Sequence, residues 1–176
     1  MDEIEKKYLL MENGVDHSTS HLQKISPSID DLVREVMKRG ELIDQGYLPL
    51  DIGMKLSEAI GINVHFSPKE ARLRHVHGKT LFTMKGKGNL VREEIERAVP
   101  IEVFTNYWKH THGSRVDKVR LKVPYSGHTA EIDVYTNRDL VVAEIEVPSI
   151  EIAQRLPPLG KDVTEDPRYK NRNLAR

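Results

Sequence analysis

Short runs in which charged residues fall on every second position constrain this chain more than any other feature. They are Glu3-Ile4-Glu5-Lys6-Lys7, Arg72-Leu73-Arg74, Arg120-Leu121-Lys122, Glu131-Ile132-Asp133 and Glu144-Ile145-Glu146. Residues i and i+2 of a strand point the same way. Each run therefore puts a charged pair on one face and an apolar or long residue on the other. A surface made only for solubility interleaves its signs, whereas basic and carboxylate pairs here mostly occupy separate runs. Such a set suits a polyanion held together with a divalent cation.

Apolar spacing places helices between the strands. Ile29, Leu32, Val33, Val36 and Met37 predict a helix over 29–39, with Ser28 as cap and Gly40 as stop. Shorter helices are expected over 51–60, 100–108 and 149–156. About eight strands are expected near 2–9, 43–48, 70–77, 80–86, 91–97, 116–124, 129–136 and 140–147. Hairpin-length turns fall at His77-Gly78-Lys79, Gly86–Asn89 and Asn137-Arg138. The polar stretch from Met11 to Ser28 reads as a surface excursion.

An even number of mostly antiparallel strands suggests a closed barrel with no open edge. The expected class is α+β, mainly β: a closed eight-stranded antiparallel β-barrel, its helices packed outside and its charged residues facing inward. The alternation is also compatible with a half-solvated antiparallel sheet. Against that, the charged pairs recur on most strands with their signs segregated. A lumen so charged would be costly to desolvate unless water, metal and an anionic ligand filled it.

Lys+Arg and Asp+Glu number 27 each, so the formal net charge is zero. Nucleic acid is not an expected partner, because a non-specific binder is strongly basic. The absence of cysteine excludes disulfides, thiolate metal sites and a Cys nucleophile. No apolar run approaches a membrane span, and the chain enters an acidic strand without an apolar leader. A soluble cytoplasmic protein with no membrane partner is the expectation. With 176 residues, a single domain over 1–176 is expected, carrying a longer helical segment at about 11–68.

In order along the chain stand EIEKKYLL (3–10), QGYL (45–48), EARLR (70–74), FTMKGKGNLVREEIE (82–96), EIDVY (131–135), EIEVPS (144–149) and VTEDPRYKNRNLA (163–175). In that order they resemble the CYTH, or triphosphate tunnel metalloenzyme, superfamily. QGYL and the terminal segment look most like its small prokaryotic inorganic tripolyphosphatases. The resemblance implies an eight-stranded tunnel holding a triphosphate, a divalent metal (Mg²⁺ or Mn²⁺) and a C-terminal helix near one end. It also brings the expectation of a homodimer.

Carried over by position, Lys7, Arg72, Arg74, Lys85, Arg120 and Lys122 would bind substrate. Glu3, Glu5 and Lys85 would take part in catalysis. Glu3, Glu5, Glu131, Asp133, Glu144 and Glu146 would serve the metal, and Glu94, Glu96, Lys87 and Lys170 are further candidates. The chemistry agrees: guanidinium groups grip phosphate oxygens bidentately, and carboxylates are hard oxygen ligands for Mg²⁺ or Mn²⁺. Glu144 and Glu146 would hold the metal bound to substrate, while Glu3 and Glu5 orient or deprotonate the attacking water.

Metal-dependent hydrolysis of inorganic tripolyphosphate to pyrophosphate and phosphate is the leading expectation. Alternatives on the same scaffold are a nucleoside or thiamine triphosphatase, a class IV-type adenylate cyclase, and a non-catalytic polyphosphate-binding module. The pairs His75/His77 and His110/His112 have zinc-like spacing but read as solvated. Trp108, Phe104 and Phe82 read as core. Gly86 and Gly88 lie in a hairpin and lack the strand–loop–helix setting of a P-loop.

Overall fold

The computed structural model describes residues 2–176. In chain order it runs β1 (Asp2–Glu12), β2 (Val15–Asp16), α1 (Ile29–Arg39), β3 (Glu41–Leu48), α2 (Leu50–Ala59), β4 (Glu70–Val76), β5 (Lys79–Lys85) and β6 (Val91–Ala98). Then follow α3 (Ile101–Trp108), β7 (Arg115–Tyr125), β8 (His128–Tyr135), β9 (Leu140–Glu146), α4 (Ile150–Arg155), β10 (Lys161–Asp162) and α5 (Asn171–Leu174). Short 3-10 turns occupy Ser20–Lys24, Lys109–Thr111 and Pro167–Tyr169.

Strand hydrogen bonding passes along β1-β6-β5-β4-β3-β7-β8-β9, and β1 also pairs with β9. The eight principal strands thus form a closed antiparallel barrel, as the alternation predicted. The two-residue strands β2 and β10 pair with β1.

Two compact units divide the chain. One comprises Ile43–Val116, Pro167–Arg176 and the residues up to Glu3; the other comprises Ile4–Leu42 and Asp117–Asp166. In the first, the apolar alternates of β4 and β5 (Ala71, Leu73, Phe82, Met84) pack against Leu56 of α2 and Phe104 of α3. Trp108 stacks on Phe104 with ring centroids 5.0 Å apart, so these aromatics and Phe82 are core. The opposite alternates of the same strands are Glu70, Arg72, Arg74, Thr83 and Lys85. Gly46 shows why the residue between Gln45 and Tyr47 is glycine: a Cβ there would sit 2.5 Å from the Thr111 side chain. The 3-10 turn carrying Thr111 therefore lies directly on β3.

In the second unit, α1 starts at Ser28, whose hydroxyl accepts from Asp31 N at 3.1 Å. It buries Ile29, Leu32 and Val36 and lies on β8. At Gly40 a Cβ would meet Val36 O at 2.5 Å and Val119 Cγ1 at 2.7 Å, so the chain leaves α1 hard against β7. β7, β8 and β9 bury Leu121, Ile132, Val141, Ala143 and Ile145. Thr164 accepts from Lys7 N at 3.0 Å, and Val163 N donates to Lys7 O at 3.0 Å, tying residues 162–164 to β1.

The four expected helices are present within a residue or two at each end. The stretch from Met11 to Ser28 lies mostly at the surface and carries more regular structure than its polarity indicates. β1 continues through Glu12, folds back as β2, and is followed by a 3-10 turn that buries Leu22. Polarity concealed this, because one buried leucine in a polar segment leaves no periodicity. The C-terminal helix is only one turn long.

Candidate functional site

In the first unit, antiparallel register aligns the charged alternates. Arg72 lies opposite Thr83, and Thr83 opposite Glu96; Glu70 lies opposite Lys85, and Lys85 opposite Glu94. Arg72 is buried. Its Nη2 donates to Thr83 Oγ1 at 3.3 Å and stands 3.5 Å from Glu96 Oε2. Its Nε finds no acceptor among the described residues. A buried donor without an acceptor is uncommon and needs a reason. Arg74 donates through Nε and Nη2 to Gln45 Oε1, at 3.2 and 3.1 Å.

Lys85 is the centre of a carboxylate pair. Its Nζ donates to Glu3 Oε1 at 3.1 Å and is also 3.1 Å from Glu94 Oε2, which is ion-pair range without hydrogen-bond alignment. Burial pushes the Glu3 carboxyl above its ordinary value, and its hydrogen bond with Glu94 adds to this against the pull of Lys85. Burial acts on Glu94 too, but the Glu3 hydrogen bond, Lys85 and Arg72 outweigh it and hold Glu94 low. The two carboxyls thus differ in proton affinity although they share one lysine, and Glu3 is the more basic.

Arg92 faces Glu70 rather than Glu94: its Nη2 donates to Glu70 Oε2 at 3.2 Å, and its Nε to Gly86 O at 3.3 Å. Lys87 is exposed in the β5–β6 turn. With Lys69, Arg92, Lys170 and Arg172 it lines a cavity of about 200 Å³. Lys170 Nζ donates to Gly88 O at 2.9 Å, so the C-terminal segment is fastened to that turn.

The second unit gathers the carboxylates. Glu5, Glu131 and Glu144 each offer an oxygen within 4.8 Å of the others. Register explains the grouping: Glu144 of β9 stands opposite both Lys7 of β1 and Glu131 of β8, with Glu5 opposite Glu146. Glu144 is buried, 3.1 Å from Lys7 Nζ and 3.2 Å from Arg120 Nη2. Despite burial, Lys7, Lys118 and Arg120 hold its carboxyl well below the usual carboxylate range. Three hard oxygen donors, at least one of them firmly ionised, form a donor set that fits Mg²⁺ or Mn²⁺. Among the described residues, no histidine joins this cluster.

Asp133 and Glu146 are not among those three. Asp133 has no exposed surface and accepts from Lys118 Nζ at 2.7 Å, Arg120 Nε at 2.6 Å and Arg120 Nη2 at 2.8 Å. Glu146 lies at the exposed end of β9. Arg120 also reaches Glu131 Oε2 at 2.9 Å. It therefore binds three carboxylates and acts as their counter-ion. Lys122 is largely exposed and only 3.9 Å from Glu131.

Sequence reasoning assigned no role to Gln45, Tyr47, Glu70, Thr83 or Lys118. Parity was the available signal: Glu70 precedes Arg72 by two, Lys118 precedes Arg120 by two, and Gln45 and Tyr47 share a face.

An inorganic triphosphatase of Nitrosomonas europaea is 39% identical over 113 residues, which span 60% of this chain and 74% of that protein. The chain belongs to the CYTH superfamily. A second relative of this CYTH chain is an inorganic triphosphatase of Acetivibrio thermocellus. It is 30% identical over 145 residues, 80% of this chain and 83% of that protein. The crystal structure of the inorganic triphosphatase NE1496 superposes with a TM-score of 0.54 at 27% identity, covering 98% of this chain and 93% of that one. HpAC1 from Hippeastrum, described with a dominant triphosphatase activity, superposes at 0.51 with 15% identity, over 87% of this chain and 83% of that one. That likeness concerns the fold alone. No family model matches the chain.

Proposed function

We propose that this protein hydrolyses inorganic tripolyphosphate to pyrophosphate and phosphate with the help of a divalent cation. The observation that carries the reading is the kinship with two inorganic triphosphatases, each covered over more than two thirds of its length. The side chains support it. Arg72, Arg74 and Lys85 supply the positive charge that a triphosphate's oxygens require, and the buried Arg72 Nε is a donor in need of an acceptor.

Glu5, Glu131 and Glu144 would hold Mg²⁺ or Mn²⁺, with Glu146 beside them. A bound cation there would neutralise phosphate charge and polarise the reacting group. Lys7 and Arg120 balance the carboxylate charge, and Lys122 extends the basic set. Glu3, pushed up by burial and Glu94, is the carboxyl assigned to receive the proton of the attacking water, with Lys85 beside it to hold it in place. Glu94 and Glu96 then set the positions of Lys85 and Arg72.

The test is phosphate release from tripolyphosphate and from ATP at equal concentration, with Mg²⁺, Mn²⁺ or EDTA, in wild type and Glu5→Gln. Metal-dependent turnover of tripolyphosphate well above ATP, lost in the variant, is expected. Faster ATP turnover would move the assignment to an organic triphosphate. Tight binding without turnover of either would make the protein a binding module.

A further inference from the structure

By sequence position Arg120 would bind substrate, yet the fold turns its donors towards carboxylates. A guanidinium carries five N–H bonds in a rigid planar fork. Nε and Nη2 of Arg120 donate to the two oxygens of Asp133, at 2.6 and 2.8 Å. Nη1 donates to Glu131 Oε2 at 2.9 Å, and Nη2 donates again to Glu144 Oε2 at 3.2 Å. Four N–H bonds are therefore aimed at carboxylates, all within the second unit of the chain.

Glu131 and Glu144 are two of the three residues whose oxygens converge. They are also direct register partners on β8 and β9. Like charges directly opposite one another on a sheet repel, so the two carboxylates would otherwise turn apart. Arg120 faces Asp133, two residues along β8 from Glu131, and reaches both glutamates at once. A planar fork meets two carboxylates in this way only at one spacing, so the contacts set that spacing.

The β7 backbone is pinned as well. A Cβ on Gly40, at the end of α1, would lie 2.9 Å from Arg120 O. Arg120 and Lys122 both approach Glu131 through Oε2. A cation taken up through Glu131 Oε1 need not break the clamp.

We propose that Arg120 is a positioning residue that clamps Glu131 and Glu144 in place for a divalent cation. The inference rests on the reading of Glu5, Glu131 and Glu144 as the residues that hold that cation.

The experiment measures Mn²⁺ binding to wild type, Arg120→Lys and Asp133→Asn, without substrate and well below the unfolding temperature. Electron paramagnetic resonance reads the free Mn²⁺. Lysine keeps the positive charge but concentrates it on one nitrogen, which cannot bridge both carboxylates as the fork does. Losing a group that orients metal ligands weakens affinity by roughly 10- to 100-fold, and Arg120→Lys should fall in that range. If Arg120 only balanced charge, lysine would replace it without loss. Wild-type affinity in Arg120→Lys therefore overturns the proposal.

Asp133→Asn keeps an acceptor for Nε and both clamp contacts, so it should lose stability but not Mn²⁺ affinity. An equal weakening in the two variants would tie affinity to stability and also overturn the proposal. Should Arg120→Lys not fold, wild type alone decides. The guanidinium N–H signals of Arg120, observed by NMR, should stay protected from solvent exchange both in EDTA and in Mg²⁺. Loss of that protection on adding Mg²⁺ would show that the clamp opens, against the proposal. Wild type that binds no Mn²⁺ refutes the metal-site reading and the clamp with it, whereas unchanged affinity in Arg120→Lys refutes the clamp alone.

Discussion

Replacing Asp133 by Asn separates a structural counter-ion from a metal ligand. Asp133 and Lys118 both have no exposed surface, and the carboxylate takes three hydrogen bonds of 2.6–2.8 Å from Lys118 and Arg120. Removing its charge strips two buried cations of their shared partner, a change that costs about 3–5 kcal/mol. Arg120 keeps Glu131 and Glu144, which puts the loss near the lower end, about 3 kcal/mol. In a chain of this length each kcal/mol lowers Tm by roughly 2–4 °C, so a fall of about 6–12 °C is expected.

The assay is thermal unfolding at pH 7, once with Mg²⁺ and once with EDTA. A counter-ion gives the same deficit in both, whereas a metal ligand gives a deficit that disappears in EDTA. A loss under about 2 °C in EDTA would refute the electrostatic reasoning. The pH dependence has a definite sign. Burial pushes the Asp133 carboxyl up, but Arg120 and Lys118 outweigh it and hold the group below its ordinary range. Its stabilisation is therefore full above the unfolded value, about 3.9, and is lost as pH falls through the lower folded value. The melting curves of Asp133→Asn and wild type should converge in acid.

Glu131→Gln removes one of three converging oxygens and should weaken Mg²⁺ binding by at least about 10-fold, read by activity against metal concentration and by metal-induced Tm shift; unchanged metal dependence would exclude Glu131 as a ligand. Glu94→Gln removes a carboxylate that pushes Glu3 up, so the acid limb of the kcat/KM profile should move to lower pH. An unmoved limb means that Glu3 is not the titrating base. Gly46→Ala places a methyl against Thr111 and should cost about 1–3 kcal/mol in urea unfolding; a neutral effect would mean that the turn shifts freely.

Alternation made much of this fold legible. Charged pairs at i and i+2 fixed the inward face of β1, β4, β7, β8 and β9, and apolar spacing marked α1 between Ser28 and Gly40. Parity fixes a face but not a neighbour. That Glu144 stands opposite both Lys7 and Glu131 depends on cross-strand register, which turns and tertiary packing determine. For the same reason nothing in the sequence indicated that Arg120 would bind three carboxylates while Arg74 meets an amide. Gln45 and Tyr47 went unassigned because uncharged polar residues on a strand resemble ordinary solvated positions. β10 is two residues long and carries no period at all.

The β1–β9 pairing has a consequence for biosynthesis. β1 is made well before its partner along Glu5–Glu12, which is β9. Local pairing such as β4–β5 completes across a tight turn at low entropic cost, but the closing seam is a distant contact of the kind that slows folding. Until β9 leaves the ribosome, β1 carries an unpaired edge that invites association with other nascent chains. The alternating acidic and basic side chains at its start are well suited to discourage that. The same charges that characterise the mature protein would then also protect it while it is being made.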